Sequence, residues 1–170
     1  MSSGPRYYGK YRATVLNNID PNLQGRLQVQ VADVSNVLPS SWAMPCFPFA
    51  GVQNGFFVVP AIGSGVWVEF EQGNPDYPIW TGCYFGVGEV PALAIAGVPG
   101  VQQIVIQSML QNTFMISDMP GPTGGILLKS ATGALISISD VGITISSGQG
   151  ASIIMTGPSV TVNEGALQVI

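Results

Sequence analysis

Gly125 to Ile170 reads GILLKSATGALISISDVGITISSGQGASIIMTGPSVTVNEGALQVI, a run in which glycine recurs at Gly125, Gly133, Gly142, Gly150, Gly157 and Gly165. The intervals are 8, 9, 8, 7 and 8 residues. Between them lie Ile126-Leu127-Leu128, Leu135-Ile136-Ser137-Ile138, Ile143-Thr144-Ile145, Ile153-Ile154-Met155, Val160-Thr161-Val162 and Leu167-Gln168-Val169-Ile170. Such segments make very short strands, each closed by a residue that tolerates φ > 0 at a tight bend. One turn per fixed period is the pattern of a β-solenoid, β-prism or β-helix.

Strands of three or four residues span only about 10–13 Å, too little for one chain to enclose a sizeable core. Copies wound about a common axis would bury the apolar side chains against one another and pair strand edges between chains. The expectation is an obligate threefold oligomer with Ile126, Leu128, Ile136, Ile138, Ile143, Ile145, Ile154, Val160 and Val162 in its core. The plainer alternative is a monomeric β-meander with glycine turns. Ser137, Thr144 and Thr161 would hold water or an anion on the axis if they turn inward.

Composition agrees with surface hidden by other chains. Charged residues make up 8% of the chain, against roughly 25% in an ordinary soluble domain. Gly and Pro interrupt every apolar run before the ~20 residues needed to cross a bilayer, and MSSGPRYYGK at the start has no apolar core of a secretory signal. Net charge is −4, and four of the five basic residues, Arg6, Lys10, Arg12 and Arg26, fall in the first 26 positions. There is no basic stripe of the kind that neutralises a run of phosphates. Cys46 and Cys83 could pair with each other, but two thiols in a chain without a secretory signal are more often buried and reduced.

The first half has the pattern of a small antiparallel barrel. Tyr11 to Leu16 reads as a strand, Asn17 to Gly25 as a polar loop around Asp20-Pro21, and Leu27, Val29 and Val31 alternate with Gln28 and Gln30 as in a half-buried strand. Trp42 to Pro45 is extended. Gly51 to Pro60 reads as a glycine-flanked loop running into a short strand, and Val66, Val68 and Phe70 alternate with Trp67, Glu69 and Glu71. After a turn at Gly73-Asn74-Pro75-Asp76, Tyr77 to Gly82 closes the set. Five short strands without helical periodicity fit a five-stranded Greek-key barrel of the OB type. The division expected is a tail at 1–6, the OB domain at 7–86, a Gly/Pro/Ala-rich linker at 87–100, and strands at 101–170 that enter and form an intertwined trimeric β-helix or β-prism. The fold class is all-β.

Gly25-Arg26-Leu27-Gln28-Val29-Gln30-Val31, Trp42, GFFVVPAIGSGVWVEFEQGNPDYPIWTGCYFG and the glycine-punctuated tail occur in one fixed order. That order resembles the baseplate spike family of contractile injection systems: phage baseplate assembly protein V, the phage cell-puncturing spike and the VgrG core. The segments Phe57 to Gly63 and Phe70 to Asp76 are similar to the family's "P-x-(I/V)-G … V-x-F-x-x-G-(N/D)-P" run. The resemblance implies a homotrimer on the tail axis of a virion baseplate or an extracellular injection particle, assembled in the bacterial cytoplasm. The OB barrels would sit under a hub protein, with Arg6, Lys10 and Arg12 either contacting an acidic hub surface or forming no more than a solvated strand end, and the β-helix would touch a membrane only during penetration. Residues 87–100 are too few for the lysozyme domain some spikes carry. The chain has no His, so the His-x-His iron site at the apex of others is not expected. Leu167, Val169 and Ile170 would meet a PAAR-like tip protein, or Ile170 itself would close the end.

No catalytic, metal or cofactor residues are expected. The nine acids are scattered, whereas general acid–base work gathers titratable groups in a cleft. Glu69 and Glu71 read as a solvated strand face without partners, and Ser146-Ser147 as turn residues lacking a histidine to activate them. The competing reading is an OB-fold single-strand nucleic-acid binder, for which Tyr7, Tyr8, Tyr11, Trp42, Phe56, Phe57, Trp67 and Trp80 supply aromatics. The charge does not follow them, so no nucleic-acid partner is expected.

Overall fold

The computed structural model describes residues 4–169, the last two through their backbone alone. The chain divides into two compact units, Met1–Glu89 and Val90–Ile170. In the first unit the strands are β1 (Tyr11–Asn17), β2 (Gln28–Gln30), β3 (Met44–Pro45), β4 (Ala50–Gly51), β5 (Asn54–Gly55), β6 (Gly65–Phe70) and β7 (Pro78–Tyr84), with a single helical turn α1 (Ala32–Ser35) after β2. Five of them form a sheet in the order β2-β1-β6-β7-β3, and β4 and β5 make a separate hairpin. Neighbours are antiparallel except β3, which runs parallel to β7.

Alternation decides what this unit buries. Ala13 and Val15, then Leu27, Val29 and Val31, then Val66, Val68 and Phe70 point to one side and are buried with Ala43 and Trp80. Successive strand residues face opposite ways, so one continuous core forms without any long strand. The Trp80 indole N–H donates to the Gly25 carbonyl at 3.1 Å, which gives the buried ring's polar end a partner.

Several local expectations change. Phe56 to Pro60 is not a strand; chain pairing comes earlier, in the β4–β5 hairpin, and the fifth sheet strand is β3. Glu71 lies in a 3-10 turn, Glu71–Gly73, because the chain bends after Phe70 with Gln72 at φ 50. Glu69 is not partnerless, since it pairs with Lys10 at 2.7 Å. Both cysteines are free and exposed rather than buried.

The second unit opens with a helical turn α2 (Ala92–Ile95) and continues as β8 (Gln103–Gln107), β9 (Thr113–Ser117), β10 (Gly125–Lys129), β11 (Leu135–Ser139), β12 (Gly142–Ser146), β13 (Ser152–Thr156), β14 (Ser159–Val162) and β15 (Leu167–Val169). These eight strands form one sheet in strict chain order, every pair antiparallel. Gly142, at φ 146, shows why the bends need glycine: a Cβ there would collide with the Met155 carbonyl oxygen. At the last bend Asn163 and Glu164 take the positive φ values. The meander and the oligomer are thus compatible readings. One expectation does change, because β9 to β14 pair along both edges within their own chain. Among the described residues, only the outer edges of β8 and β15 are left for pairing between chains.

Candidate oligomerisation face and outer barrel face

Register turns the eight-stranded sheet into two ladders on one side. The first runs Ile104, Ile116, Ile126, Ile138, Ile143, Met155, Val160 and the Val169 position; the second runs Ile106, Phe114, Leu128, Ile136, Ile145, Ile153, Val162 and Leu167. Every position on this face is apolar. Its side chains are nevertheless half open to solvent, Leu128 at 46% and Ile138 at 43%, and an open groove passes Phe114, Leu128, Ile136 and Ile145. A sheet buries one face only when something packs on it, and among the described residues of the unit none covers this one.

Eight of the nine expected core residues, Ile126, Leu128, Ile136, Ile138, Ile143, Ile145, Val160 and Val162, share this face. Ile154 does not. It pairs with Thr144 and Thr161 on the opposite side, while Ile153 and Met155 take the apolar positions. Three consecutive apolar residues leave the period-2 phase undetermined in sequence, and only the pairing with Thr-containing neighbours resolves it. Ile104, Ile106, Phe114 and Ile116 also belong to the face. Their alternation in β8 and β9 was the available signal.

The other face carries Val105, Met115, Leu127, Ser137, Thr144, Ile154 and Thr161 down its middle. Ser137, Thr144 and Thr161 therefore point away from the apolar ladders, so an axial water or anion site among those ladders cannot be made from them. The unit's own chain shields the start of this second face. There α2 packs against β8, Gly97 abuts the Gln103 side chain, and Thr113, Met115 and Ser117 are buried. Leu167 is exposed at the last strand; Val169 is placed by register alone, and Ile170 lies outside the described residues.

In the first unit, Lys10 Nζ donates to Glu69 Oε1 at 2.7 Å and to Thr81 Oγ1 at 3.1 Å. Arg6 donates to the Gln72 carbonyl at 3.2 Å. Arg12 stands over the rings of Trp67 and Tyr84, 5.3 and 5.2 Å from their centroids, so its planar cation is held by stacking rather than by an acid. Of the remaining aromatics, Tyr7 and Tyr11 pack on Phe70, Trp80 is in the core, and Trp42 lies under Arg26.

A second charged centre was not foreseen. Asp20 is buried, and its carboxylate accepts from Asn22 N at 2.9 Å, Gln24 N at 2.8 Å, Arg26 N at 3.2 Å and the Arg26 guanidinium at 2.6 Å. The Arg26 guanidinium foremost, then the three backbone N–H groups, hold its carboxyl well below the usual carboxylate range against the opposing pull of burial. The Asp20-Pro21 turn signal gave the loop but not its clasp. Among the described residues no cluster of His, Cys, Asp and Glu could hold a metal ion.

A closed barrel joined to a sheet that keeps an entire apolar face bare describes an all-β protein that multimerises through its second half. Comparison with known proteins gives the same division. Residues 11–85 match the type VI secretion system/phage-baseplate injector OB domain, and residues 103–168 match the phage baseplate V C-terminal trimerisation domain. The actin cross-linking toxin VgrG1 of Vibrio cholerae serotype O1 is 41% identical over 56 residues, which cover 33% of this chain and 5% of that protein. The chain belongs to the baseplate spike family of contractile injection systems. Its second unit is a trimerisation domain, and it is a component of a phage tail or secretion machinery.

Proposed function

We propose that the chain forms the central spike of a contractile baseplate, held to the hub through its OB domain and driven through the target envelope with its trimerised sheets leading. The observation that carries this is the bare apolar face. Three copies facing an axis would bury Ile126, Leu128, Ile136, Ile138, Ile143, Ile145, Val160 and Val162 together with Ile153 and Met155. A side chain already half covered would gain roughly 1 kcal/mol on full burial, repeated along every strand and in all three chains. The sparse charge leaves little to desolvate, and the antiparallel ladder within each chain keeps the strands in register under axial load.

In the first unit Arg12 is the best placed of the three basic candidates for a hub contact. Lys10 and Arg6 spend donors on Glu69, Thr81 and Gln72, whereas the Arg12 fork is held rigid by two rings and remains available to a carboxylate. A PAAR-like tip protein would meet the last strand at Leu167 and Val169. The particle would be a virion or an extracellular injection device put together in the bacterial cytoplasm. Complementing a particle that lacks its spike tests the reading. Wild-type chain should restore killing, and Ile143→Asp should not. Normal puncture by particles carrying Ile143→Asp would overturn the assignment.

A further inference from the structure

The barrel has an apolar surface of its own that the core does not use. The β4–β5 hairpin and its flanks carry Phe49, Val52, Phe56, Phe57 and Val58 exposed, Val52 at 93% and Phe57 at 64%. Phe56 N–H donates to the Phe49 carbonyl at 3.1 Å, so the two residues are paired through the backbone at the hairpin's open end. Its base is fixed, because Phe57 packs on Phe47 with ring centroids 5.5 Å apart and Phe47 packs on Trp80 at 5.4 Å. Large apolar side chains on a rigid support lose little freedom when covered.

Charge decides what covers them. Every residue from Val34 to Val68 is uncharged. In a threefold ring each patch meets a different surface of the next copy, and a patch without charge loses no ion hydration when that copy covers it. The segment between Tyr84 and Gln103 reaches at most about 60 Å when fully extended, so trimerisation of the second unit holds three barrels together at an effective concentration on the order of millimolar. We propose that the β4–β5 hairpin of each barrel is covered by the barrel of a neighbouring copy, making the first unit a second homotypic interface. The inference rests on the trimer described above.

Hydrogen exchange on the full chain, with mass checked by light scattering, tests it. Wild-type trimer should exchange the amides of residues 49–58 at least tenfold more slowly than the single-chain Ile143→Asp variant. Protection of Val66–Phe70 shows that the barrel is folded in both. Val52→Glu, at a position open to solvent in one barrel, should leave the trimer mass unchanged and return residues 49–58 to the fast rate. Should Ile143→Asp not fold, Val52→Glu serves as the comparator. A wild-type trimer whose residues 49–58 exchange at the comparator's rate overturns the inference and leaves the trimer standing, as does protection that arises only when hub protein is added. A wild-type mass of one chain overturns the trimer first and this interface with it.

Discussion

The two units are built from the same side chains on strands of similar length, yet they treat those side chains oppositely. In the barrel, Val66, Val68, Leu27 and Val29 are wholly buried; in the meander, Ile126, Leu128, Ile136 and Ile145 remain about two-fifths exposed. Strand propensity and alternation do not differ between them. What differs is the return of the chain. In the first unit β1, β6 and β7 curve with β2 and β3 over one core, whereas each strand of the second lies beside the one before it and never comes back over its own face. A meander without a covering layer delegates its core to other chains.

The largest effect should come from placing a charge where that delegated core is expected. Ile143→Asp or Ile145→Asp would set three unpaired carboxylates near one axis, a burden of several kcal/mol, and the mass by light scattering should fall to that of one chain. The barrel's unfolding transition should persist in the variant. The mirror experiment is Leu27→Ala, which opens a cavity in a closed core at a cost of about 2–5 kcal/mol. Denaturant unfolding should show that loss in the first unit while the trimer mass stays unchanged. If Leu27→Ala dissociated the trimer, the units would not be energetically separate.

Much of this division could be read before any coordinates. The glycine period located every bend between Gly125 and Gly157, and the alternation at Leu27–Val31 and Val66–Phe70 assigned inward residues correctly. Local pattern failed where a decision depended on partners distant in sequence. Phe56 to Pro60 has the composition of a strand, but no neighbour presents an edge to it. Ser152-Ile153-Ile154-Met155-Thr156 offers two phases, and the choice is made by Val160 and Val162 across the next bend. The Asp20 clasp depends on three backbone N–H groups converging, which no residue type announces.

The phase of β13 makes a finer contrast. Ile153→Thr places a hydroxyl in the apolar ladder and should lower the trimer's stability by about 1–3 kcal/mol per chain. Ile154→Thr extends a column that already holds Thr144 and Thr161 and should cost less than about 1.5 kcal/mol. Thermal denaturation of the two trimers side by side reads the difference. Equal losses would mean that both faces of the sheet are covered in the assembly.

The smallest effect concerns the barrel alone and depends on pH. Asp20 has a folded-state pKa depressed chiefly by Arg26, so its ionised form is favoured by folding. A group of this kind contributes fully while pH stays above its unfolded value of about 3.9, and the contribution fades as pH drops below that toward the depressed folded value. Between pH 7 and pH 5 it should therefore be constant. Asp20→Asn keeps the shape and one acceptor oxygen but removes the charge that Arg26 meets, so it should unfold at lower denaturant than wild type at pH 7. Because the remaining carboxylates titrate in both proteins, the gap between the two midpoints isolates Asp20. The gap should hold down to about pH 5 and narrow as pH falls through 4 and below. A gap that stayed constant to pH 2 would mean that the clasp is a matter of shape and neutral hydrogen bonds, with Arg26 replaceable by an uncharged donor. The trimer mass should be unmoved across the same range if the ladders, which carry no titratable group, hold the second unit together.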